Sequence, residues 1–242
     1  MVRLQKRPET IENRWDILYA KYPEVYDAFS RIPYTPNVLS HLLKLFSFRK
    51  KVVVDIGSGT GRSTFPIARQ AKEVVGIEPE DAMRKLAVRE AKKKRIKNVT
   101  FVKGSGQRIP LKEHYADIIL AVTALPPPEK MSVFLKECKR VLKKGGLIIS
   151  VDIAPKWYGG DLAPVILGKS RMTNLKIDEK IDTFFRHHNF LYKDVYSVQE
   201  YESVKRMVDI YGFIFGKKAI AHIKKTKRTC VKWKVRIHYA RF

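Results

Sequence analysis

The stretch VVVDIGSGTG, residues 52–61, constrains the fold of this chain more than any other feature of its sequence. Three valines lead into an acidic residue, and glycines then occupy every second position at Gly57, Gly59 and Gly61. A continuous apolar run is typical of a strand that is buried on both faces. Glycines directly after it indicate a tight turn or a close approach of the backbone to a ligand. We therefore expect a buried strand followed by a turn that lies against a bound molecule.

Strand and helix patterns alternate along the chain around this turn. Five short apolar runs predict strands, namely KVVVDI, EVVGIE, NVTFVKG, ADIILAVTAL and LIISVDI. Amphipathic stretches such as EDAMRKLAVREAKKK lie between them, and EKMSVFLKECKRVLKK predicts a helix that ends at Gly145 and Gly146. This alternation predicts parallel βαβ units in a doubly wound sheet, which is an α/β architecture.

The carboxyl-terminal part of the sequence adds two more strand patterns. A strand is predicted for YKDVYSVQEY, helix for residues 200–225, and a final strand for CVKWKVRIHYARF. In that last stretch the apolar residues Val231, Trp233, Val235, Ile237 and Tyr239 alternate with Lys232, Lys234, Arg236 and His238. A period of two predicts a half-buried strand at or near the edge of the sheet.

Two segments lie outside the main alternation. Residues 8–31 place apolar side chains at helical spacing with a break at Pro23, and a further helix is predicted with Thr35 as its cap and Pro36 in its first turn. After Ile153, the stretch APKWYGGDLAPVILGKSRMTN contains Pro and Gly and few periodic positions. We interpret this stretch as an insertion or lid.

Composition excludes several classes of protein. A chain of 242 residues with 45% hydrophobic content suits one large globular domain, or one domain with an appendage. Its two cysteines, Cys138 and Cys230, allow one disulfide at most, which favours a reducing compartment. The start MVRLQKRPET is not a signal peptide, and no apolar run is long enough to span a bilayer. We therefore predict a cytoplasmic protein that does not enter a membrane.

The charge balance is strongly basic, with 49 Lys and Arg against 24 Asp and Glu and a net charge of +25. One interpretation is an electrostatic footprint for nucleic acid, and the other is a charge-rich, thermophilic protein. No acidic residue occurs from Ile210 to Phe242. The stripe of Lys232, Lys234 and Arg236 on one strand face would suit a phosphate backbone, or it is a solvated face that discourages aggregation.

Acidic residues around the glycine turn restrict the class of ligand. Arg62 and Ser63 follow the last glycine where a phosphate-binding P-loop requires Lys and then Ser or Thr, and Arg62 also stands where a dinucleotide fingerprint has glycine. Asp55, two residues before the first glycine, would repel a pyrophosphate and suits a cofactor that carries positive charge. Glu78, at the end of the next strand, can accept hydrogen bonds from ribose hydroxyls, as it would for NAD or another adenosine cofactor.

Five motifs together resemble a known family. The stretches VVVDIGSGTG, VVGIEPEDAM, FVKGSGQRIPL, YADIILAVTAL and CKRVLKKGGLIIS look like the successive motifs of class I S-adenosylmethionine-dependent methyltransferases, most like the type-11 group. The resemblance covers residues 24–153 and includes the lead-in YDAFSRIPYTPNVL. It implies S-adenosylmethionine as cofactor and methyl transfer as activity. With the strand patterns, it predicts a Rossmann-like, seven-stranded, mostly parallel sheet whose last strand is antiparallel.

The resemblance also implies a set of cofactor contacts. The turn residues that would pass beneath the methionine part and the ribose are Gly57, Ser58, Gly59 and Gly61. The residues implied around ribose and adenine are Glu78 for the ribose hydroxyls, Pro79 and Met83 beside adenine, and Ser105, Gly106 and Gln107 along its edge. Many relatives carry Asp where this chain has Ser105.

Further contacts are implied at the methionine end. Asp55 would orient the turn and face the amino group, while Val122 and Thr123 would line the methyl-transfer pocket. Tyr26 and Arg31 would cover this end of the cofactor, with Arg31 pairing with its carboxylate. Four segments follow from this interpretation: 1–48, an N-terminal helical lid; 49–153, the cofactor-binding core; 154–189, an insertion and helix over the acceptor site; and 190–242, strands and helix that complete the sheet.

The methyl acceptor, the attacked atom and the oligomeric state are not predicted by the sequence. Leu125 stands where methylases of exocyclic base amines carry Asp or Asn, Cys138 lies in a predicted helix, and no histidine spacing indicates a metal. Aromatic residues of the lid favour a small apolar acceptor. RNA or protein methylation through the basic carboxyl-terminal face is the alternative. A binding protein without turnover, or an NAD-type reductase, is a further alternative from another class.

Overall fold

The protein, described here from a computed structural model, forms a seven-stranded sheet with helices on both faces. The structure describes residues 8–31, 34–168 and 176–242, and the side chains of 31–37 and 176–178 lie outside this description. The strands are β1 (Val52–Ile56), β2 (Glu73–Ile77), β3 (Val99–Val102), β4 (Ala116–Val122), β5 (Leu142–Ile153), β6 (Leu191–Glu200) and β7 (Cys230–Arg241). Their order across the sheet is β3-β2-β1-β4-β5-β7-β6.

Strand direction confirms the predicted doubly wound, Rossmann-like sheet. The first five strands are parallel to their neighbours, and β7 is antiparallel to both β5 and β6. The order reverses between β1 and β4, which pair through Val53 and Ile118. In open parallel sheets, ligands bind beyond the carboxyl ends of the strands at such a reversal.

Helices connect the strands and cover the sheet. They are α1 (Trp15–Lys21), α2 (Pro23–Arg31), α3 (Tyr34–Leu45), α4 (Thr64–Ala68), α5 (Asp81–Lys93), α6 (Met131–Val141), α7 (Ala163–Leu167), α8 (Lys176–His187), α9 (Val204–Met207) and α10 (Lys217–Thr226). Between α9 and α10 the chain continues through a π-helical turn (Val208–Gly212) and a short helix (Phe213–Phe215). The predicted Thr35 cap lies outside the described side chains. No helix in the described ranges is long and apolar enough to cross a bilayer.

Two apolar layers bury the parallel strands. All five residues of β1 are buried, as the continuous apolar run predicted. Val53 belongs to a layer that includes Leu42 of α3, and Val54 belongs to the opposite layer with Phe134 of α6. Both faces of the parallel strands are therefore covered, which leaves the strand ends as their accessible part.

The predicted helix end at Gly145 and Gly146 is wrong. The helix α6 ends at Val141, and β5 begins at Leu142. Ala116 pairs with Leu142 and Ile118 with Leu147, so the intervening residues form a bulge in β5. Burial of Leu142 beside β4 ends the helix early, and the left-handed φ of 74° at Gly145 serves the bulge instead of a helix cap.

The strand β7 lies inside the sheet, one position from its edge, and β6 forms the edge. Its predicted apolar face is buried from Val231 to Ile237. The opposite side of β7, which carries its basic residues, is only partly exposed. His238 on that side is buried and stacks on Phe185 of α8 at 4.4 Å. The helix that was predicted over residues 200–225 is interrupted in the structure at Gly216, whose φ is 103°.

Candidate active site

The glycine turn after β1 lies where the strand order reverses, and its geometry excludes side chains. Gly57 and Gly59 have left-handed φ angles of 65° and 55°. A Cβ on Gly57 would stand 2.3 Å from the Cβ of Ala124, which follows β4. A Cβ on Gly59 would stand 3.3 Å from Cε of Met83 and 3.5 Å from a ring carbon of Tyr26. The turn is therefore pressed against the loop after β4 on one side and faces a cavity on the other.

Backbone hydrogen bonds tie the turn to the end of β2. The N–H groups of Gly57 and Ser58 donate to the carbonyl of Ile77 at 2.8 and 3.2 Å. The N–H of Gly59 donates to Oε2 of Glu78 at 2.8 Å. The Thr60 hydroxyl also donates to Oδ1 of Asp27 at 2.7 Å, so backbone and side-chain contacts together hold the turn.

Asp55 sits behind the turn and is fully buried. The hydroxyls of Ser63 and Thr64 donate to its Oδ2 at 2.9 and 2.6 Å, whereas Oδ1 has no hydrogen-bond partner within the described part of the chain. Burial raises the pKa of Asp55 to about 6, against the lowering effect of these two hydroxyls. Asp55 thus orients the start of α4 and the turn, and it does not line the cavity.

Glu78 is also buried, but its carboxylate lines the cavity. Its Oε1 accepts the N–H of Glu80 at 2.9 Å, in addition to the Gly59 contact at Oε2. Burial raises the pKa of Glu78 above its usual value, and the two backbone donors oppose that shift. Each carboxylate oxygen keeps acceptor capacity for a further hydroxyl donor.

A cavity of about 350 Å³ opens between the turn, Glu78 and the loops after β3 and β4. Ten residues of the predicted cofactor set line it: Tyr26, Gly57, Gly59, Glu78, Pro79, Met83, Ser105, Gly106, Gln107 and Thr123. Its volume lies within the range of about 300–1,000 Å³ that is usual for small-molecule sites. Residues brought together from five separate segments therefore surround one space, and their contacts with a cofactor remain predictions.

The other predicted residues lie elsewhere. Ser58 is buried beneath the turn, and its Oγ has no hydrogen-bond partner among the described residues. Gly61 packs against the ring of Phe65, and Val122 is part of the buried core. The side chain of Arg31 lies outside the described residues, so its predicted pairing with a carboxylate is not placed.

A second cavity of about 210 Å³ adjoins the first and shares Tyr19, Tyr26 and Thr123 with it. Most of its walls are aromatic, and the rings beyond the shared tyrosines are Trp15, Phe29, Tyr158, Phe215 and Trp233. Arg62 and Asp152 are charged residues of its lining. Their neighbour Thr123 has a left-handed φ of 52°, and its Oγ1 accepts from Arg62 at 3.4 Å. The two cavities therefore meet at a tyrosine pair beside the ends of β1 and β4.

Long-range hydrogen bonds hold the aromatic walls together. Trp15 Nε1 donates to the hydroxyl of Tyr158 at 2.8 Å, which links α1 to the segment after β5. Gln199 is fully buried, and its side chain donates to the carbonyl of Phe29 and accepts from Nε1 of Trp233. Sequence patterns missed Gln199, because a single polar residue in a strand gives no signal of this role.

Tyr19 was expected among the aromatic residues of a lid over the acceptor, but not among the cofactor contacts. Its ring packs edge-on against Tyr26 with centroids 5.2 Å apart, and it lines both cavities. Burial raises the pKa of Tyr19 well above its usual value. The only sequence signal was its place among aromatic residues of the first helices, which is equally typical of core packing.

Comparison with known proteins agrees with this geometry. Residues 54–150 match the sequence family described as "Methyltransferase domain", type 11. A probable S-adenosylmethionine-dependent methyltransferase of Saccharomyces cerevisiae, CRG1, is 30% identical over 97 residues, which cover 39% of this chain and 33% of the yeast protein. The chain thus spans about a third of that relative's length.

Two further proteins match over most of their length. The ubiquinone/menaquinone biosynthesis C-methyltransferase UbiE of Campylobacter jejuni is 21% identical over 245 residues, covering 92% of this chain and all of that protein. The crystal structure of YcgJ from Bacillus subtilis superposes with a TM-score of 0.60 at 18% identity, covering 84% of this chain and 97% of that one. At this identity the structural likeness shows the fold.

The fold and the domain match together identify a class I S-adenosylmethionine-dependent methyltransferase. Within that class, residues 54–150 match the type-11 methyltransferase domain. The predicted family, enzyme class and cofactor are thereby confirmed. The residues present fit the cofactor, because a glycine cradle and a buried carboxylate with spare acceptor capacity face one cavity of suitable volume.

Proposed function

We propose that this protein transfers a methyl group from S-adenosylmethionine to a small molecule that binds in the aromatic cavity. One observation carries the proposal: the two cavities share a wall made of Tyr19, Tyr26 and Thr123. Displacement at a sulfonium methyl needs donor and acceptor in line, with little else supplied by the enzyme. Adjoining cavities with a common wall provide that alignment.

In this proposal, the larger cavity holds the cofactor, which supplies a methyl group bound to a positively charged sulfur. Glu78 accepts hydrogen bonds from the ribose hydroxyls, and Met83 and Pro79 flank the adenine. Ser105, Gly106 and Gln107 lie along the adenine edge, and Tyr26 covers the methionine end. Asp55 acts from behind the turn, through Ser63 and Thr64, instead of by direct contact.

The acceptor class follows from the walls of the smaller cavity. Its volume of about 210 Å³ suits a molecule of one or two rings, since a cavity of about 150 Å³ holds benzene. Seven aromatic side chains favour a planar, apolar body, and Asp152 with Thr123 offers polar contacts to a hydroxyl or amine. Residues of α1, α2 and the segment after β5 form part of these walls.

Segment roles are part of the same proposal. The 1–48 segment and the 154–189 segment act as the two covers of the acceptor, because Trp15, Tyr19 and Phe29 come from the first and Tyr158 from the second. Residues 49–153 bind the cofactor, and 190–242 complete the sheet. A cytoplasmic location and adaptation to heat remain predictions.

Methylation of a quinol ring is a specific form of the proposal. The relative UbiE is named for ubiquinone and menaquinone biosynthesis, and a planar ring suits aromatic walls. A quinol with a long apolar tail would need that tail to leave the small cavity. Ring-sized and tailed quinols therefore belong in the same substrate panel.

RNA or protein methylation is the second candidate, and the basic strand face on which it depends is largely neutralised. Lys234 pairs with Asp194 at 2.7 Å. Arg236 pairs with Asp194 and with Asp182, both at 2.7 Å. Of the three predicted phosphate contacts, Lys232 keeps an exposed side chain without an ion pair among the described residues. This pairing favours the small-molecule acceptor.

A transfer assay with methyl-labelled cofactor tests the proposal. Labelled product is expected from a panel of aromatic amines, phenols and quinols, and not from RNA or protein fractions. Calorimetry with S-adenosylhomocysteine and with NAD is the accompanying control. Binding of NAD without S-adenosylhomocysteine would exclude the proposal in favour of a reductase, and cofactor binding without any transfer would favour a binding protein.

A further inference from the structure

The parallel sheet gathers basic residues at the end opposite the active site. All five parallel strands begin at that end, so the segments that lead into them lie side by side. Four acid-free segments lie there: those before β1, β2 and β3, at 46–51, 69–72 and 92–98, and the bulge at the start of β5, at 143–146. The segment before β4 differs, because it contains the exposed Glu113. We name the basic residues of the four acid-free segments, with the end of β7, the basic face: Arg49, Lys50, Lys51, Arg69, Lys72, Lys92, Lys93, Lys94, Arg95, Lys97, Lys143, Lys144 and Arg241.

Most of this charge is exposed and uncompensated. Every residue of the basic face is exposed except Lys143, which is half-buried. Among the described residues, only Lys94 and Lys143 form ion pairs, with Glu90 at 3.8 Å and with Asp117 at 3.1 Å. Four helices end at this face, but a helix end carries only about half a negative charge. Compensation of helix dipoles therefore accounts for a small part of the positive charge.

The basic face is concave where β1, β4, β5 and β7 meet. A cavity of about 330 Å³ is lined there by Lys51, Lys144 and Arg241, with Lys143 beside them. Its one carboxylate, Asp117, accepts from the N–H of Val52 at 2.7 Å and pairs with Lys143. Converging cations around a recess form an electrostatic attraction site for a chain of phosphates.

We propose that the basic face binds the phosphate backbone of a nucleic acid, and that this binding is separate from methyl transfer. The two cavities of the active site open at the carboxyl ends of the same strands. A nucleic acid on the basic face therefore lies at the far end of the sheet from the transferred methyl group. It is an anchor for the enzyme and not its acceptor.

The number of exposed apolar side chains on the basic face distinguishes a nucleic acid from an anionic membrane as its partner. Proteins that dock on a bilayer surface combine cations with apolar side chains that insert below the headgroups. The four segments of the basic face hold no exposed large apolar side chain among the described residues, and the exposed leucine beside them, Leu45, lines the recess itself. One exposed leucine beside thirteen cations favours binding to phosphates in water over insertion into a bilayer.

Two triple variants of the full chain test the proposal. The first is Lys72→Glu with Lys97→Glu and Lys144→Glu, which reverses three exposed charges in three segments of the basic face. The matched control is Lys218→Glu with Lys224→Glu and Lys225→Glu, at exposed positions of α10. This helix precedes the start of β7, whereas the basic face includes the end of β7. Both variants change net charge equally, so they separate location from total charge.

Fluorescence anisotropy with a labelled single-stranded RNA and a duplex DNA of mixed sequence gives the readout. For the unaltered protein, affinity is expected to fall steeply between about 50 and 200 mM salt. The basic-face variant should bind at least about tenfold more weakly at the lower salt. Its slope of log K against log salt should be smaller by about 2 for the single strand. The α10 variant should stay within about twofold of the unaltered protein, and both should retain S-adenosylhomocysteine binding as evidence of folding.

Three results would overturn the proposal. Equal loss in both variants would show attraction by total charge alone. No salt-dependent binding of either nucleic acid would remove the partner. Binding to phosphatidylglycerol vesicles that the basic-face variant loses, without nucleic-acid binding, would make the surface a membrane contact. Because none of these readouts uses methyl transfer, they are independent of the acceptor identity.

Discussion

The backbone N–H of Gly59 donates a 2.8 Å hydrogen bond to the carboxylate of Glu78. This contact joins the glycine turn after β1 to the end of β2 at the wall of the larger cavity. Glu78 therefore has a structural role before any ligand binds, since it holds the turn in place while keeping acceptor capacity for a ribose. Its replacement should affect both the turn and the cofactor.

Replacing Glu78 with Ala should weaken S-adenosylhomocysteine binding by about 1–3 kcal/mol, because ribose hydroxyls and the Gly59 N–H lose their acceptor. Glu78→Gln keeps a carbonyl acceptor and should lose less. Isothermal calorimetry measures both dissociation constants. The control Glu113→Ala removes an exposed carboxylate outside both cavities and should bind normally. An unchanged dissociation constant in Glu78→Ala would remove this residue from the site.

Replacing Gly57 with Ala should destabilise the fold and abolish tight cofactor binding. The new Cβ would clash with Ala124 at 2.3 Å, and the left-handed φ of 65° adds strain. Overpacking and left-handed strain together predict a loss of about 2–5 kcal/mol in the free energy of unfolding. Chemical denaturation measures this loss.

Gly145 offers a matched control for this substitution. Its φ is also left-handed at 74°, but a Cβ there would meet no atom within 4 Å. Gly145→Ala should therefore cost only the backbone strain, about 1–2 kcal/mol, with cofactor affinity unchanged. Equal losses in the two variants would show that the contact with Ala124 contributes nothing.

Filling the smaller cavity should separate acceptor binding from cofactor binding. Ile153 lines the aromatic cavity but not the larger cavity, so Ile153→Trp adds volume to the wall of the aromatic cavity alone. We expect kcat/KM for the acceptor to fall by about tenfold or more, because a pocket discriminates by about 1–3 kcal/mol per methylene. The dissociation constant of S-adenosylhomocysteine should stay within twofold. Val133→Trp, at an exposed position, is the control, and full activity of Ile153→Trp would place the acceptor elsewhere.

Asp55 predicts a specific dependence of stability on pH. Burial raises its pKa from 3.8 to about 6, so the folded state holds this proton more tightly than the unfolded state does. The proton on Asp55 stabilises the folded state fully below about pH 4. This stabilisation, about 3 kcal/mol in total, is lost as the pH rises through about 6.

Asp55→Asn removes this titration while leaving an acceptor for the Ser63 and Thr64 hydroxyls. The difference in unfolding free energy between the original protein and Asp55→Asn should therefore shift against the original protein as pH rises from 4 to 7. Urea denaturation at several pH values measures the difference. A difference that does not change with pH would mean that Asp55 titrates normally in the folded state.

Local patterns were sufficient for the sheet, the glycine turn and Glu78, whereas the family resemblance implied most of the other residues that line the larger cavity. Strands and helices each bury a face with a fixed period, so β1 to β5 were visible as apolar runs and the turn as spaced glycines. Glu78 was predictable because parallel strands end at one edge, which brings the end of β2 beside the glycine turn. Ser58 and Gly61 were implied by the family resemblance; the Ser58 side chain is buried, and Gly61 lies against the ring of Phe65.

Boundaries and neighbours were less predictable from local patterns. Gly145 and Gly146 look like a helix end in the sequence, but pairing with β4 draws Leu142 into the sheet first. The basic residues of β7 look like an open stripe, but Asp194 of β6 and Asp182 of α8 pair with Lys234 and Arg236. Each outcome depends on a partner that is distant in sequence.

By itself, the sequence determined the α/β class, the parallel core and the cradle after β1, because each depends on burial and backbone freedom within a few residues. Tertiary structure alone decided the aromatic cavity, the shared tyrosine wall and the basic face. The aromatic wall requires contacts such as Trp15 with Tyr158 and Gln199 with Phe29, which lie 143 and 170 positions apart. Such contacts are set by the packing of whole elements, and no local period encodes which distant surfaces will meet.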